Sequence, residues 1–523
     1  MARTAVPARE TVLRGGLGRH VGGSEREGAT ARDFALFSGP GLLAVGLCLI
    51  EIRGRSLGFD ESATVAIAGQ HGSALWSAIA HDGGNMSGYY VLMHVLFSVF
   101  GRGLLVLRLP SAVGAGVAVV LLEALALRLF DRRVALISGA FSAVSLPLVF
   151  WGQSARSYAL LVALVTGSFL AFVSMLDARR PRAAWIGYVL CTALATYASL
   201  MAILIVPAQL VILGWHRRRT RAVGSALAAI VVLSVPLMVL VAQRGSGQLF
   251  WVPRPDSTSI KQVLQALTSA GLEPNFHASS TTTLLLACTV AALAAISVAV
   301  VRTSLTGSWG PALALSWLLV PALLAYAESL VGQSIFLPRN LLICVPAASL
   351  LLAWGITRSG APIWLTSLVL AGLLALRALQ VAPSYGVSPE NWQAATNYVL
   401  AHTRAADCVA FYPSDGRNAF RYYLRPGVRA PRPVLPAVPF SESRAYIEDY
   451  ATLSPRQLRL LPHICSQLWL VSSHEGQPNG TAGARANYSR YLALRDSLAA
   501  EYSRSAVRSF GYAAPVTVQQ FDR

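Results

Sequence analysis

The chain has 523 residues, of which 54% are hydrophobic and only 13% charged. Soluble globular chains carry about 25% charged residues, so this composition excludes an ordinary soluble core and indicates an integral membrane protein. The formal charge of +19 is almost all arginine, scattered in short clusters between apolar runs, a pattern of membrane topology and not of a nucleic-acid surface.

Residues 1–33 are Arg-rich and lack an apolar core of signal-peptide length, so they read as a basic cytoplasmic tail. Eleven apolar runs then approach the length needed to cross a bilayer: Phe34–Ile50, Leu109–Phe130, Val134–Phe150, Tyr158–Leu176, Ala183–Ser199, Leu200–Trp215, Val223–Ala242, Thr281–Val301, Trp309–Leu330, Leu341–Ile356 and Pro362–Leu379. The fifth and sixth form one long run, split at "TYASL". Tyr89–Phe100 is short and polar-flanked and reads as a helix lying at the surface. With these assignments the clusters "ARRPR" (178–182) and "HRRRTR" (216–221), with Arg128, Arg132, Arg133, Arg302 and Arg358, all fall on the side of the basic tail. The positive-inside rule makes that side cytoplasmic, with the N-terminus in and the C-terminus out.

The expected organisation is a tail (1–33), a transmembrane domain (34–381) with a large first outer loop (53–108), and an extracytoplasmic domain (382–523). In that last region "CVAFY" and "QLWLVSS" read as strands between helical stretches such as "SPENWQAATNYVLAHT", which predicts a small α/β domain. Cys408 and Cys465 both fall there, and a disulfide and two free thiols are both open. Cys48, Cys191, Cys288 and Cys344 lie singly in apolar runs as small buried hydrophobes.

Acids are scarce in the N-terminal half, yet Asp60 and Glu61 stand side by side in the first outer loop. Asp82 follows in the same loop with His81 and Asn85 beside it. The adjoining "YYVLMH", with Tyr89 and Tyr90, is an aromatic amphipathic surface suited to the headgroup level. Carboxylates at that level act as a general base or ligate a divalent cation, with Asp60 and Asp82 the candidate ligands of Mg, Mn or Ca. Arg156 in "WGQSARSYALL" and Arg339 in "SIFLPRNLLICVP" sit at outer helix ends, against the inside bias, and Arg108 in "LRLPS" is a third case. Guanidinium pairs bidentately with phosphate, so an anionic headgroup is the expected ligand. Glu123 and Glu328, within or near spans, are candidates by position alone. His94 reads as a packing residue.

Taken together, "FDESATV", "DGGNMSGYYVLMHVLFSVFG", "LRLPSAVGA", "WGQSARSYALL" and "FLPRNLLICVP" resemble, in order and spacing, the GT-C glycosyltransferases of the protein O-mannosyltransferase and lipid A aminoarabinose transferase type. The resemblance covers roughly residues 34–400. The chain departs from the family pattern in having Asn85, Met86 and Ser87 where His-Pro-Pro is usual, Ser154 where an acid is common, and Arg339-Asn340 in place of Arg-Tyr. The resemblance implies an α-helical polytopic membrane protein that moves a sugar from a polyprenyl phosphate to a hydroxyl of a glycan, lipid or protein at the outer face of the cytoplasmic membrane. It implies Asp60 as general base, Glu61 or Asp82 in acceptor or cation binding, and Arg156 and Arg339 on the phosphate. His81, Asn85, Tyr89, Tyr90, Gln153 and Tyr158 fall in the matching stretches as substrate-binding candidates. A flippase for lipid-linked saccharides is the alternative, and a receptor or scaffold a second one.

Overall fold

The computed structural model describes residues 31–177, 181–214, 220–245, 249–276, 279–304 and 309–523. The basic stretch 1–30, residues 178–180 of "ARRPR" and residues 216–219 of "HRRRTR" lie outside the described residues. Two bodies are built from the rest, a bundle of apolar helices and a C-terminal domain around a sheet.

Among the described residues, six helices are long and apolar enough to cross a membrane: Leu104–Leu129, Tyr158–Leu176, Thr220–Arg244, Ser280–Arg302, Trp309–Val331 and Ile363–Ser384. A seventh span is formed if the bent pair Arg132–Ala143 and Leu146–Gly152, meeting at 58°, is counted as one. The bend has a plain cause. Pro147 has no N–H to donate into the preceding turn, so the helix cannot run through it. The carbonyl of Phe141, near the break, is met by Arg377 Nη1 at 2.7 Å, as a backbone group at membrane depth requires. The other four expected spans are helical too, over 31–49, 181–198, 200–213 and 342–358, but they are shorter or less apolar. The expected count of eleven is therefore not carried by length and apolarity. The split at "TYASL" falls at Ser199, whose extended backbone separates Pro181–Ala198 from the short turn Leu200–Leu204. Ser87–Phe100 is a separate 14-residue helix.

Helix Leu104–Leu129 is the centre of the bundle. Gly114 lies so close to Tyr158–Leu176 that a Cβ would stand 2.9 Å from the Leu160 nitrogen, so only glycine permits this approach. Arg108 in the first turns of Leu104–Leu129, Arg156 just before Tyr158–Leu176 and Arg339 after Trp309–Val331 all meet the segment that carries Asp60 and Glu61.

The C-terminal domain carries a five-stranded sheet: β1 (Cys408–Tyr412), β2 (Arg432–Leu435), β3 (Gln467–Ser472), β4 (Arg504–Phe510) and β5 (Val516–Asp522). The order is β2-β1-β3-β5-β4, parallel across β2-β1-β3 and antiparallel across β3-β5-β4. The central strands β1 and β3 are buried at every position, as unbroken apolar runs covered on both faces must be. One face (Ala410, Tyr412, Leu468, Leu470) packs on Leu494 and Leu498 of helix Ala482–Glu501. The other (Val409, Phe411, Trp469, Val471) packs on Trp392 and Phe420. Both strands and the helical stretch quoted from the sequence are present, the last as Trp392–His402, and Cys408 and Cys465 are joined in a disulfide.

That bridge closes a loop of 57 residues, for which chain-entropy arguments give about 4 kcal/mol of stabilisation. Replacing both cysteines by serine is expected to lower the thermal midpoint of the C-terminal domain, followed by limited proteolysis across a temperature series. Reductant should reproduce the effect in the parent chain and add nothing to the variant.

Candidate active site

Asp60 and Glu61 open the short helix Phe59–Ala68, where acids in the first turn complement the helix dipole. Consecutive helical residues point about 100° apart, so the two carboxylates part company at once. Glu61 turns into the protein. Its Oε1 accepts from Arg108 Nε at 2.9 Å and from the Ala155 N–H at 2.7 Å. Its Oε2 accepts from Arg108 Nη2 at 2.8 Å and from the Gly58 N–H at 3.0 Å, closing the helix start. Arg108, fully buried, spends its other donors on the carbonyls of Ile52, Arg55 and Ser56 at 2.8–3.1 Å. Burial would raise the Glu61 carboxyl, but Arg108 and Arg55 outweigh it and hold it below its usual range. Both groups are saturated. Arg108, expected among the phosphate-facing arginines, instead builds the loop, and Glu61 shares that work and does not stand beside Asp60 in the site.

Asp60 points the other way. Its Oδ2 accepts from Arg339 Nη1 at 2.8 Å, and its side chain keeps 40% exposure. Arg339 in turn lies over the Trp251 ring at 4.9 Å. Arg156 donates Nη1 to the Asp60 carbonyl at 3.2 Å, while its Nε is buried with no hydrogen-bond partner among the described residues. Burial would raise the Asp60 carboxyl, but Arg156, Arg339 and His474 overcome it and hold it at about 2. Burial would lower Arg156; Asp60, Tyr90, Tyr158 and Asp82 nearby push it well above its ordinary value instead.

Asp82 lies at the end of helix Ser73–His81, on a turn that runs through Gly83 and Gly84 at φ +64° and +74°. Only glycine takes that conformation readily, and a Cβ on Gly84 would also meet Leu237 at 2.9 Å. The turn brings Asp82 Oδ2 to the Tyr90 hydroxyl, which donates at 3.1 Å. Asp60, Asp82, Tyr90, Arg156, Tyr158 and Arg339 thus come together, each in electrostatic reach of Arg156.

The remaining candidates do other things. Gln153 donates to the carbonyls of Cys48 at 3.2 Å and Ile50 at 2.6 Å, tying down the end of the first helix. Tyr89 contacts Leu107 and Ser111 inside the bundle. Asn85 accepts a long 3.5 Å bond from the Leu200 N–H, and His81 meets the Ile447 carbonyl at 3.3 Å. Asp60 and Asp82 are the two carboxylates of the cluster around Arg156. Among the described residues no three His, Cys, Asp or Glu side chains gather to hold an ion, and Asp60 is paired with a guanidinium.

Sequence reading missed the C-terminal contribution. Phe59 is covered by Tyr446 edge-on at 5.8 Å and by His474 stacked at 4.8 Å, and Glu448 pairs with Arg244 at 2.8 Å. Tyr446, Glu448 and His474 lie in none of the motifs and stand hundreds of positions from Asp60. An apolar groove of about 400 Å³ lined by Trp185, Ile186, Val232 and Leu233 holds no titratable group and is separate from this cluster.

Removing Glu61 would leave Arg108 charged and buried without its partner, which typically costs about 3–5 kcal/mol. Glu61→Ala is therefore expected to lower the melting temperature markedly, while Asp60→Asn leaves it within a few degrees. Differential scanning fluorimetry in detergent checks the contrast.

Residues 88–241 match the family model described as dolichyl-phosphate-mannose-protein mannosyltransferase. No curated protein matches by sequence. The structure is similar to ArnT from Cupriavidus metallidurans in the apo state, with a TM-score of 0.53 at 14% identity over 93% of this chain and 97% of that one. It is also similar to the same protein bound to undecaprenyl phosphate, at 0.52 and 14% over 94% and 98%. The archaeal oligosaccharyltransferase AglB from Archaeoglobus fulgidus, in complex with an inhibitory peptide and a dolichol-phosphate, matches at 0.53 and 11% over 91% of this chain and 72% of that one. The chain is a multi-pass membrane protein that shares the fold of ArnT and AglB, and within it residues 88–241 resemble the mannosyltransferase family model.

Proposed function

We propose that this protein is a membrane glycosyltransferase that moves a sugar from a polyprenyl-phosphate donor to a hydroxyl of a glycan, lipid or protein acceptor. The observation that carries the reading is an accessible carboxylate, Asp60, paired with the Arg339 guanidinium and flanked by a second, Arg156, which donates to the Asp60 main-chain carbonyl. The similar structures hold undecaprenyl phosphate or a dolichol-phosphate, which supports a lipid phosphate as the anion here. A flippase finds no support in the comparisons.

The chemistry follows from the charges. A donor phosphodiester satisfies Arg156 and Arg339, including the unpartnered Nε, and draws Arg339 away from Asp60. Relieved of that cation, the Asp60 carboxylate becomes a better base. It takes the acceptor proton as the hydroxyl oxygen attacks the anomeric carbon, the bond from that carbon to the phosphate oxygen breaks, and polyprenyl phosphate leaves. One displacement inverts the anomeric centre. The two arginines meet the charge on the leaving phosphate. Tyr90 and Asp82 line the same cluster on the acceptor side.

We take residues 34–381 as the transferase domain and 382–523 as an outer domain. The Cys408–Cys465 disulfide supports an extracytoplasmic place for the latter, at the outer face of the cytoplasmic membrane with the N-terminus inside.

Asp60→Asn is expected to cut release of polyprenyl phosphate by about 10²–10⁴-fold with the protein equally folded. Release is read by chromatography after supplying a panel of polyprenyl-phosphate sugars, with and without chelator. Equal turnover in both proteins would remove Asp60 from the role of base.

The pH profile is a second check. With its carboxyl at about 2, Asp60 is ionised in the free enzyme throughout the working range. Its acid limb in kcat/KM is expected below about pH 4, while in kcat, which reports the bound complex, it moves to higher pH. Coincident limbs in the two profiles would contradict displacement of Arg339 by donor.

A further inference from the structure

We infer that Glu390 and His474, both from the C-terminal domain, are positioning residues that set the Asp60 helix for the transfer; this rests on the glycosyltransferase reading above. The helix Phe59–Ala68 begins with N–H groups that have no partner inside it, as every helix does. The Gly58 N–H is met from within the loop by Glu61. The Phe59 N–H, one residue before Asp60, is instead donated to Glu390 Oε2, 331 positions away. Glu390 Oε1 stands 3.5 Å from His474 Nε2, whose ring stacks on Phe59 at 4.8 Å. The three groups form a closed clamp: carboxylate on the helix start, imidazole on the carboxylate, and imidazole face on the side chain beside Asp60.

Both clamp residues are held by the sheet. Glu390 bridges to Gly511, after β4, and the Pro389 carbonyl accepts from the Tyr512 N–H at 2.8 Å. Gly511 has φ +108°, and a Cβ there would stand 2.7 Å from the Pro389 carbonyl oxygen, so the approach needs glycine. His474 follows β3 in a left-handed conformation, φ +60°, with Ser473 Oγ 2.9 Å from its Nδ1. A non-glycine residue in that region is uncommon and is kept where surrounding structure demands it. Phe59 itself belongs to the core of the C-terminal domain, with Trp392 and Phe411. Asp60 is therefore gripped on one side by the bundle, through Glu61 and Arg108, and on the other by the outer domain.

The test uses the full-length chain with Glu390→Ala, Glu390→Gln and His474→Ala. A glutamine still offers an oxygen to the Phe59 N–H; alanine does not. Glu390→Ala is expected to lower kcat by up to about 100-fold, the scale on which a small misplacement of a catalytic group acts, with donor KM little changed. Glu390→Gln is expected to recover most of the loss, and His474→Ala to fall between. Amide exchange gives a readout independent of turnover. Exchange over Phe59–Glu61 should quicken about 3- to 10-fold in Glu390→Ala, the value of one hydrogen bond, and stay near the parent rate in Glu390→Gln. Parent-like exchange and turnover in Glu390→Ala would overturn the proposal. So would equal losses in the alanine and glutamine variants with a lowered melting temperature, which mark a contribution to domain docking alone. If the parent chain releases polyprenyl phosphate from no donor, the glycosyltransferase reading fails, and amide exchange still decides whether Glu390 fixes the helix.

Discussion

The five N–H donors of Arg108 hold the loop that carries Asp60 in place. Two go to Glu61 and three to the carbonyls of Ile52, Arg55 and Ser56. A buried guanidinium is costly unless all its donors are met in good geometry, and here every one is. Because Arg108 belongs to the central helix Leu104–Leu129, the loop that carries Asp60 is fastened to the most enclosed part of the bundle. Arg55 repeats the device one layer out. It reaches the carbonyls of Phe150 and Gln153, with its guanidinium 4.1 Å over the Phe150 ring. The burial of Arg55, together with the neighbouring Arg108, pulls its guanidinium down to about 9.

This anchorage divides the acidic pair into two jobs. Glu61 keeps the loop folded, and Asp60 is left accessible beside Arg156 and Arg339. The resting pairing of Asp60 with Arg339 makes each group less available to anything but a ligand that suits both, a hydroxyl that donates to the carboxylate on one side and a phosphate that accepts from the guanidinium on the other. An anion that takes Arg339 also frees the Asp60 carboxylate. On the proposed function, binding of the donor and activation of the acceptor are then two consequences of one exchange of partners.

Much of this was legible in the residues. The scarcity of acids marked Asp60, Glu61 and Asp82, and arginines against the inside bias marked Arg156 and Arg339. The unbroken runs "CVAFY" and "QLWLVSS" became the buried central strands. What the order of residues could not show was direction. Adjacent acids in a helix face different neighbours, and which one meets Arg108 depends on how the loop crosses the bundle. Gln153 and Tyr89 sit in motif-like stretches, but their polar atoms turn inward to backbone carbonyls and a buried serine. Glu390 and His474 carry no local signal at all, since their meaning arises only when the sheet brings residue 390 and residue 474 to the start of the Asp60 helix. Of the eleven expected spans, length and apolarity carry six or seven among the described residues; the remaining four are helices that are shorter or less apolar.

The most direct test is the affinity for polyprenyl phosphate of the parent chain, Arg156→Gln and Arg339→Gln, measured by titration in detergent with each variant's folding verified. Hydrogen bonds to charged groups are worth about 1.5–3 kcal/mol, so each replacement is expected to weaken binding by about 10- to 100-fold. Affinities equal to the parent's in both variants would contradict the account, because the phosphate would then be held elsewhere and the carboxylate at Asp60 would have no donor beside it.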